Sequence, residues 1–189
     1  MTTIQKCVSP KDSEVEIIEL MKPIHSNFSG KIHGGYILNL MDQVAFACAS
    51  KYSGKYCVTA SVNKVDFKNA VNVGEFLTLK ARVNYVGNTS MTVGIRVTSE
   101  NIQSGEQVHC NSSFFVMVAK QENGQNAKVP TLCLRTAEDV RRFLRSKNRI
   151  ESNKTNTHTF SEKTFVIDSY IDELTTQNNV SIDPSLLEK

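Results

Sequence analysis

Asp42 is the residue with the clearest chemical potential in this chain. It is the only acid in the mostly apolar run GGYILNLMDQVAFACAS, residues 34–50. A carboxylate buried without partners is costly or shifts its pKa upward. Two interpretations follow. Asp42 is satisfied by hydrogen bonds at an interface with a second subunit, or it lines a ligand cleft as a base or nucleophile.

Gly34 and Gly35 stand where this run is predicted to begin a helix. The first N–H groups of a helix lack intrahelical partners and form the positive end of its dipole. Without side chains in the way, these N–H groups could stabilise an oxygen that becomes negative during acyl transfer. Asp42 lies about two turns further on, or ~10 Å. A ligand would therefore run along the helix, or the groups would act through water or across a subunit interface. Alternatively, the glycines only permit tight packing between the loop and the sheet.

The elements that must position these groups follow from hydrophobic periodicity. The helix over 35–50 is apolar on nearly all sides, which predicts that it is buried. Alternating polar and apolar residues predict strands, and acids followed by bases predict a second helix with Thr136 as its N-cap. The predicted strands are 15–22, 56–67, 76–86, 90–100 and 107–120, and the second helix is 136–149. After it, residues 150–159 are predicted to be a polar linker and residues 160–176 a short docked element. We therefore predict an α+β fold in which one antiparallel sheet curls around one helix.

Charge is unevenly distributed along the chain. The net charge is +3, but residues 151–189 contain three Lys and seven Asp or Glu, which leaves −4 there and +7 in the rest. A basic body suits a polyanionic ligand such as nucleic acid or a phosphorylated cofactor. No basic run is interleaved with aromatic residues and no zinc-finger motif occurs, so nucleic acid is not the expected partner.

The five cysteines form no CxxC pair, and the start of the chain shows no secretory signal. We therefore expect free thiols in a reducing compartment and a cytoplasmic location. His and Cys are not clustered, which predicts no metal site. Cys48 falls at a packing position of the helix, which argues against a cysteine nucleophile. No apolar run is long enough to span a membrane.

Five segments, taken in order, resemble the hotdog-fold acyl-CoA thioesterases, in particular the cytosolic broad-range and long-chain type. They are HSNFSGKIHGGYILNLMDQVA, CVTASVNKVDFKNAVNVGE, VGNTSM, SENIQSGE and SSFFVMVAKQENGQNAKVP. The resemblance covers roughly residues 13–149. It implies a curled antiparallel sheet wrapped around a long central helix, and hydrolysis of acyl-CoA to a fatty acid and coenzyme A. It also implies no metal and no cofactor apart from the coenzyme A of the substrate.

The resemblance also implies roles for individual residues. Asp42 would activate water or attack the thioester, and Asn27 of a partner subunit would orient water or substrate. Gly35, with Gly34, would polarise the thioester carbonyl, and Thr59 would line the site opposite Asp42. An Asn in a loop often hydrogen-bonds its own backbone, which is the competing interpretation of Asn27. The further predicted substrate contacts are His33, Gly87, Asn88, Thr89 and Ser90.

The resemblance and the residue patterns together suggest a division of the chain. Residues 1–12 are an N-terminal segment, 13–135 the hotdog domain, 136–149 a C-terminal helix and 150–189 a polar acidic extension. The minimal unit is predicted to be a homodimer, assembled further as a trimer of dimers. One alternative is a hotdog module that binds acyl-CoA without hydrolysing it. Another is a hydratase of the same fold, which would need a histidine on the helix, and none follows residue 33 there.

Overall fold

The computed structural model describes residues 7–156, with side chains described as far as residue 152. The chain divides into two units, Met1–Lys147 and Asn148–Lys189. Every site discussed below lies in the first unit. Neither described α-helix combines the length and the apolar character needed to cross a membrane.

The secondary structure of the described part is a run of strands interrupted by one long helix and followed by another. In chain order the elements are β1 (Cys7–Val8), β2 (Val15–Leu20), α1 (Gly34–Ser53), β3 (Tyr56–Val62), β4 (Phe76–Val86), β5 (Ser90–Glu100), β6 (Gln107–Lys120), β7 (Thr131–Leu132) and α2 (Ala137–Asn156). Two short 3-10 turns, Pro10–Ser13 and Pro23–His25, flank β2.

The main sheet has five antiparallel strands in the order β2-β4-β5-β6-β3. The tight β4–β5 connection pairs Phe76 with Glu100 and Val86 with Met91, as a hairpin requires. The sheet curls around α1, whose Met41 and Val44 are fully buried with sheet residues such as Met117. The predicted fold class, a curled antiparallel sheet around a long helix, is confirmed.

Helix α1 is longer than predicted and less completely covered. It ends at Ser53 and is capped by Gly54, which adopts a left-handed φ of 65° and donates its N–H to the Ser50 carbonyl at 2.8 Å. Glycine is favoured at such a cap because it has no Cβ. The prediction of a helix buried on nearly all sides is wrong for the single chain, because the side chain of Phe46 is 40% exposed and Asp42 is also exposed. The sequence pattern cannot distinguish burial inside one chain from burial against another.

Strands β1 and β7 were not predicted, and they overturn part of the cysteine prediction. They pair in parallel, and Cys7 forms a disulfide with Cys133 across a Cα–Cα distance of 5.6 Å. The expectation of five free thiols is therefore wrong for these two. The partners are 126 residues apart, so only the folded chain brings them together. The other three cysteines, Cys48, Cys57 and Cys110, are free and buried.

Helix α2 begins as predicted but ends later. Thr136 Oγ1 accepts the N–H of Asp139 at 3.1 Å, which confirms Thr136 as the N-cap. Asp139 also pairs with Arg82 of β4 at 2.5 Å. The helix continues to Asn156, so the linker predicted from residue 150 is wrong over its first seven residues. The predicted element at 160–176 lies outside the described residues, and the predicted domain boundaries stay predictions.

Candidate active site

Asp42 and Thr59 are brought together by the packing of α1 beside β3. The Thr59 hydroxyl donates to Asp42 Oδ1 at 2.5 Å and also lies 3.5 Å from the sulfur of Met117. The other oxygen of Asp42, Oδ2, has no partner among the described residues. One carboxylate oxygen is thus oriented by a neutral donor while the second stays available to accept a proton.

Exposed apolar side chains occur on the same helix and strand as Asp42 and Thr59. Phe46 lies one helical turn beyond Asp42, and its ring meets the ring of Tyr56 edge-on at 5.7 Å. Tyr56 and Val62, at the two ends of β3, are also exposed. Both interpretations of Asp42 drawn from the sequence, at a subunit interface or in a ligand cleft, are compatible with this surface.

The two glycines at the start of α1 differ in their surroundings. The N–H groups of Tyr36 and Ile37 donate to the His33 carbonyl, whereas those of Gly34 and Gly35 have no acceptor among the described residues. A methyl group added at Gly34 would lie 3.3 Å from the ring of Phe67, but one at Gly35 would meet nothing within 4 Å. Tight packing therefore explains the glycine at 34, while Gly35 leaves its N–H open to a ligand.

Asn27 closes its own loop through its side-chain oxygen. Oδ1 accepts the N–H of Ser29 at 3.0 Å, the Ser29 hydroxyl at 2.7 Å and the N–H of Lys31 at 3.1 Å. The competing interpretation from the sequence thus describes this oxygen correctly. The amide nitrogen Nδ2 has no partner among the described residues, so the loop fixes Asn27 with a free donor.

No hydrogen bond joins Asn27 to Asp42 among the described residues of the single chain. Two large apolar side chains near Asn27 in sequence are exposed: Ile24, in the preceding 3-10 turn, is 82% exposed, and Phe28 is completely exposed. His33, at the N-cap of α1, is also exposed, and its side chain makes no capping hydrogen bond. These residues are placed on the surface of the single chain, where a ligand or a second copy can reach them.

A basic groove of roughly 1200 Å³ lies beyond the end of α1. Its lining includes Lys55, Lys120 and Lys128, together with Asn88 and Thr89 of the β4–β5 turn. Glu122 also lines the groove, but no salt bridge among the described residues involves any of the three lysines. The groove thus combines several positive charges with polar donors, as an anionic ligand requires.

The predicted turn contacts divide into two pairs. Asn88 and Thr89 line the groove, whereas Gly87 and Ser90 close the hairpin through a bond from the Gly87 N–H to the Ser90 carbonyl at 2.8 Å. Sequence reasoning missed the three lysines and Tyr56, which also lines the groove. The only signal for the lysines was the overall positive charge of residues 1–150.

Strand β3 connects the groove to the carboxylate. Tyr56 lines the groove and contacts Phe46, and Thr59 follows three residues later, about 10 Å along a strand. The groove and the carboxylate are therefore both adjacent to the same strand.

Cysteine and metal chemistry would need other groups. Burial raises the pKa of the Cys48 thiol to about 12, which suppresses the reactive thiolate. Among residues 7–152, no three His, Cys, Asp or Glu side chains lie close enough together to hold a metal ion. Among the described residues, one carboxylate and one hydroxyl are brought together, those of Asp42 and Thr59.

The chain is similar in sequence to proteins of a known family. Residues 29–106 match the family model described as the thioesterase superfamily. The chain is 46% identical over 124 residues to Protein VdlD of Helicobacter pylori, covering 66% of this chain and 71% of that protein. It is 30% identical over 139 residues to the human cytosolic acyl coenzyme A thioester hydrolase, covering 72% of this chain but only 37% of the human protein.

Solved structures show the same fold. A crystal structure of an apo-hexameric acyl-CoA thioesterase superposes with a TM-score of 0.79 at 34% identity, and the match covers 82% of this chain and 99% of that one. The alignment therefore includes nearly the whole of that subunit, not an isolated motif.

Proposed function

This chain belongs to the hotdog-fold acyl-CoA thioesterases of the thioesterase superfamily, and we propose on that premise that it hydrolyses acyl-CoA to a free carboxylic acid and coenzyme A. The observation that carries the proposal is the Asp42 carboxylate, which Thr59 orients through one oxygen while the other stays open. A thioester is already a reactive acyl donor. A positioned base and a donor to the developing oxyanion can therefore suffice.

The proposed reaction is acyl transfer to water. The thioester carbonyl oxygen accepts a hydrogen bond from the Gly35 N–H, at the positive end of the α1 dipole. In one route Asp42 takes a proton from water as the water oxygen attacks the acyl carbon. In the other, Asp42 attacks that carbon itself, and water then cleaves the mixed anhydride. In both routes the C–S bond breaks and the coenzyme A thiolate takes up a proton.

We propose that each site is shared between two copies of the chain. Strand β3 is an edge strand of the described sheet, and an exposed edge of this kind needs covering. Phe46, Tyr56 and Val62 form an exposed apolar surface along β3 and α1. A second copy at this edge would bury that surface and bring its own Asn27 toward Asp42. One of the similar solved structures is hexameric, which supports a further assembly as a trimer of dimers.

We propose that the basic groove holds the phosphate groups of coenzyme A. The groove supplies Lys55, Lys120 and Lys128 for negative charge, and Asn88 and Thr89 for hydrogen bonds. Tyr56 and Thr59 are about 10 Å apart along β3. In this proposal, the thiol arm of coenzyme A runs along β3 over this distance toward Asp42. No metal and no separate cofactor enters this scheme, so activity should persist in the presence of a chelator.

The test of the function is direct measurement of thiol release with a chromogenic reagent. Acyl-CoAs from acetyl to palmitoyl should be presented to the purified protein, with and without a chelator. We expect turnover with at least part of the series. Tight binding of acyl-CoA without any thiol release would instead support the alternative, a non-catalytic binding module, because that module needs the groove but not Asp42.

Location in the cell is a separate proposal. The sequence argument for a cytoplasmic location depended on five free thiols. The Cys7–Cys133 disulfide removes that argument, because structural disulfides are rare in reducing compartments. We propose a cytoplasmic location on the likeness to a human relative named a cytosolic hydrolase. Fractionation of the cells that make the protein tests this proposal, and recovery outside the cytoplasmic fraction would contradict it.

Substitution of each glycine by alanine should separate packing from catalysis. We expect Gly35→Ala to leave the melting temperature near that of the wild type, because the added methyl group meets nothing within 4 Å. We expect it to lower kcat by about tenfold, because the added methyl group hinders the approach of the thioester oxygen to the Gly35 N–H; complete loss of an oxyanion donor can cost about 10²–10³-fold. Gly34→Ala should instead lower stability by no more than about 1 kcal/mol, because the added methyl group lies 3.3 Å from the ring of Phe67, which is partly exposed and can shift. Equal effects of both changes on kcat, with stability unchanged, would contradict this assignment.

Reversal of charge in the groove should affect substrate binding selectively. We expect Lys120→Glu and Lys128→Glu each to raise KM for acyl-CoA while leaving kcat within about twofold, because these residues contact a part of the substrate that does not react. The increase should shrink at high salt, which screens charges on the surface. Lys11→Glu, which alters an exposed lysine outside the groove lining, is the matched control. An equal increase in KM for the control would show that the effect is not specific to the groove.

A further inference from the structure

Tyr36 joins three elements at the start of α1. It follows Gly35 directly, its ring stacks on the imidazole of His25 with centroids 3.6 Å apart and planes 9° apart, and its hydroxyl donates to Glu19 of β2 at 2.5 Å. One side chain thus contacts the sheet and the base of the Asn27 loop while its backbone belongs to the first turn of α1. None of the reaction steps above uses it.

The loop that begins at His25 is held closed by its own hydrogen bonds. The His33 N–H donates to the His25 carbonyl at 2.9 Å, and Ser26 forms a β-bridge with Ile32. The Asn27 N–H then donates to the Lys31 carbonyl at 2.7 Å. Asn27 is two residues from His25 inside this closed loop, so any shift of His25 also shifts Asn27.

The bond from Tyr36 to Glu19 persists over the pH range in which the protein would work. Burial, the hydrogen bond to Glu19 and the negative charge of Glu19 together raise the pKa of the Tyr36 hydroxyl to about 12. The hydroxyl therefore stays protonated and remains a donor. The bond to Glu19 of β2 therefore holds the ring of Tyr36 against His25.

We propose that Tyr36 is a positioning residue, which fixes the Asn27 loop against the first turn of α1 and so sets where the Asn27 amide lies relative to the Gly35 N–H. This inference rests on the proposed thioesterase function, in which Asn27 and the Gly35 N–H of one copy act on the same thioester, opposite Asp42 of the partner copy. Displacement of a reacting or orienting group by about 1 Å can cost about 10²-fold in rate, so a loosened loop lowers turnover without loss of any catalytic group.

The experiment is a double-variant cycle measured on acyl-CoA hydrolysis. Tyr36→Leu removes the stack and the hydroxyl, and Tyr36→Phe removes only the hydroxyl. Each is made in the wild-type chain and in Asn27→Ala. In the wild-type background we expect Tyr36→Leu to lower kcat about tenfold and Tyr36→Phe less, with KM within about twofold in both cases. In the Asn27→Ala background both Tyr36 changes should alter kcat by less than about twofold, because the group that Tyr36 positions is gone.

Two results would overturn the proposal: an equal fold-loss of kcat in both backgrounds, or an effect confined to KM. Melting temperatures show whether a variant has lost its fold. If Tyr36→Leu does not fold, the comparison of Tyr36→Phe in the two backgrounds decides the question alone. Failure of the wild-type chain to hydrolyse any acyl-CoA would count against the proposed function. Hydrolysis by the wild type with equal costs in both backgrounds would count only against the role of Tyr36.

Discussion

Replacement of Asp42 by Asn should lower kcat for acyl-CoA hydrolysis by about 10²–10⁴-fold, the usual contribution of a positioned general base. The amide keeps the shape of the carboxylate. Its Oδ1 can still accept the Thr59 hydroxyl, as Oδ1 of Asp42 does at 2.5 Å in the wild type. The change removes the basic or nucleophilic oxygen and little else. Because Asp42 is exposed in the single chain, the melting temperature should stay close to that of the wild type.

Thr59→Val is the matched control for this prediction. It removes the donor that orients the carboxylate but leaves the carboxylate itself, so kcat should fall by about tenfold or less. Its hydroxyl also lies near the sulfur of Met117, a contact whose loss should have little effect on turnover. An Asp42→Asn protein that folds and assembles yet keeps more than a tenth of wild-type turnover would exclude Asp42 from the chemical step.

Replacement of Asn27 by Asp should lower kcat by about 10²-fold, a typical cost of removing one oriented donor. Aspartate keeps an oxygen that can accept the N–H groups of Ser29 and Lys31, so the loop should stay closed. It has no Nδ2 donor. Steady-state kinetics with melting temperatures therefore separate the amide donor from the loop-forming oxygen.

Asn27→Ser and Asn27→Ala complete this comparison. Serine can also accept backbone N–H groups, more weakly, and adds no charge, so it tests whether the loss in Asn27→Asp comes from repulsion. Alanine removes both the donor and the acceptor. If Asn27→Asp and Asn27→Ser keep wild-type turnover while Asn27→Ala does not, Asn27 acts only by shaping its own loop.

The three central strands could be predicted closely because they follow one another in sequence and pair with their neighbours in the chain. The bounds of β4, β5 and β6 agree with the predicted strands 76–86, 90–100 and 107–120, since each strand alternates clearly and ends at a turn. The β1–β7 pairing and its disulfide could not be predicted, because a two-residue strand carries no periodicity. Helix α2 runs past residue 149 through polar residues that form a helix without an apolar stripe.

The candidate site was less predictable than the fold. The sequence suggested Asp42 by its odd setting, but the pairing with Thr59 came only from the family resemblance, because a helix and a strand must be packed before the two side chains meet. The lysines of the groove come from separate parts of the chain, at 55, 120 and 128, so their charges reinforce one another only after folding. The differing roles of Gly34 and Gly35 depend on the position of Phe67.

The central claim is that one copy of the chain supplies Asp42 and another supplies Asn27 to the same site. Co-expression of Asp42→Asn chains with Asn27→Ala chains in equal amounts tests it most directly. Half of the dimers formed at random are mixed, and each mixed dimer has one intact site if the residues come from different chains. Activity should then recover to about a quarter of the wild-type value, because the two sites of a symmetric dimer are equivalent. If activity stays at the level of the separate variants although mixed dimers are recovered, both residues act within one chain and the shared site is ruled out.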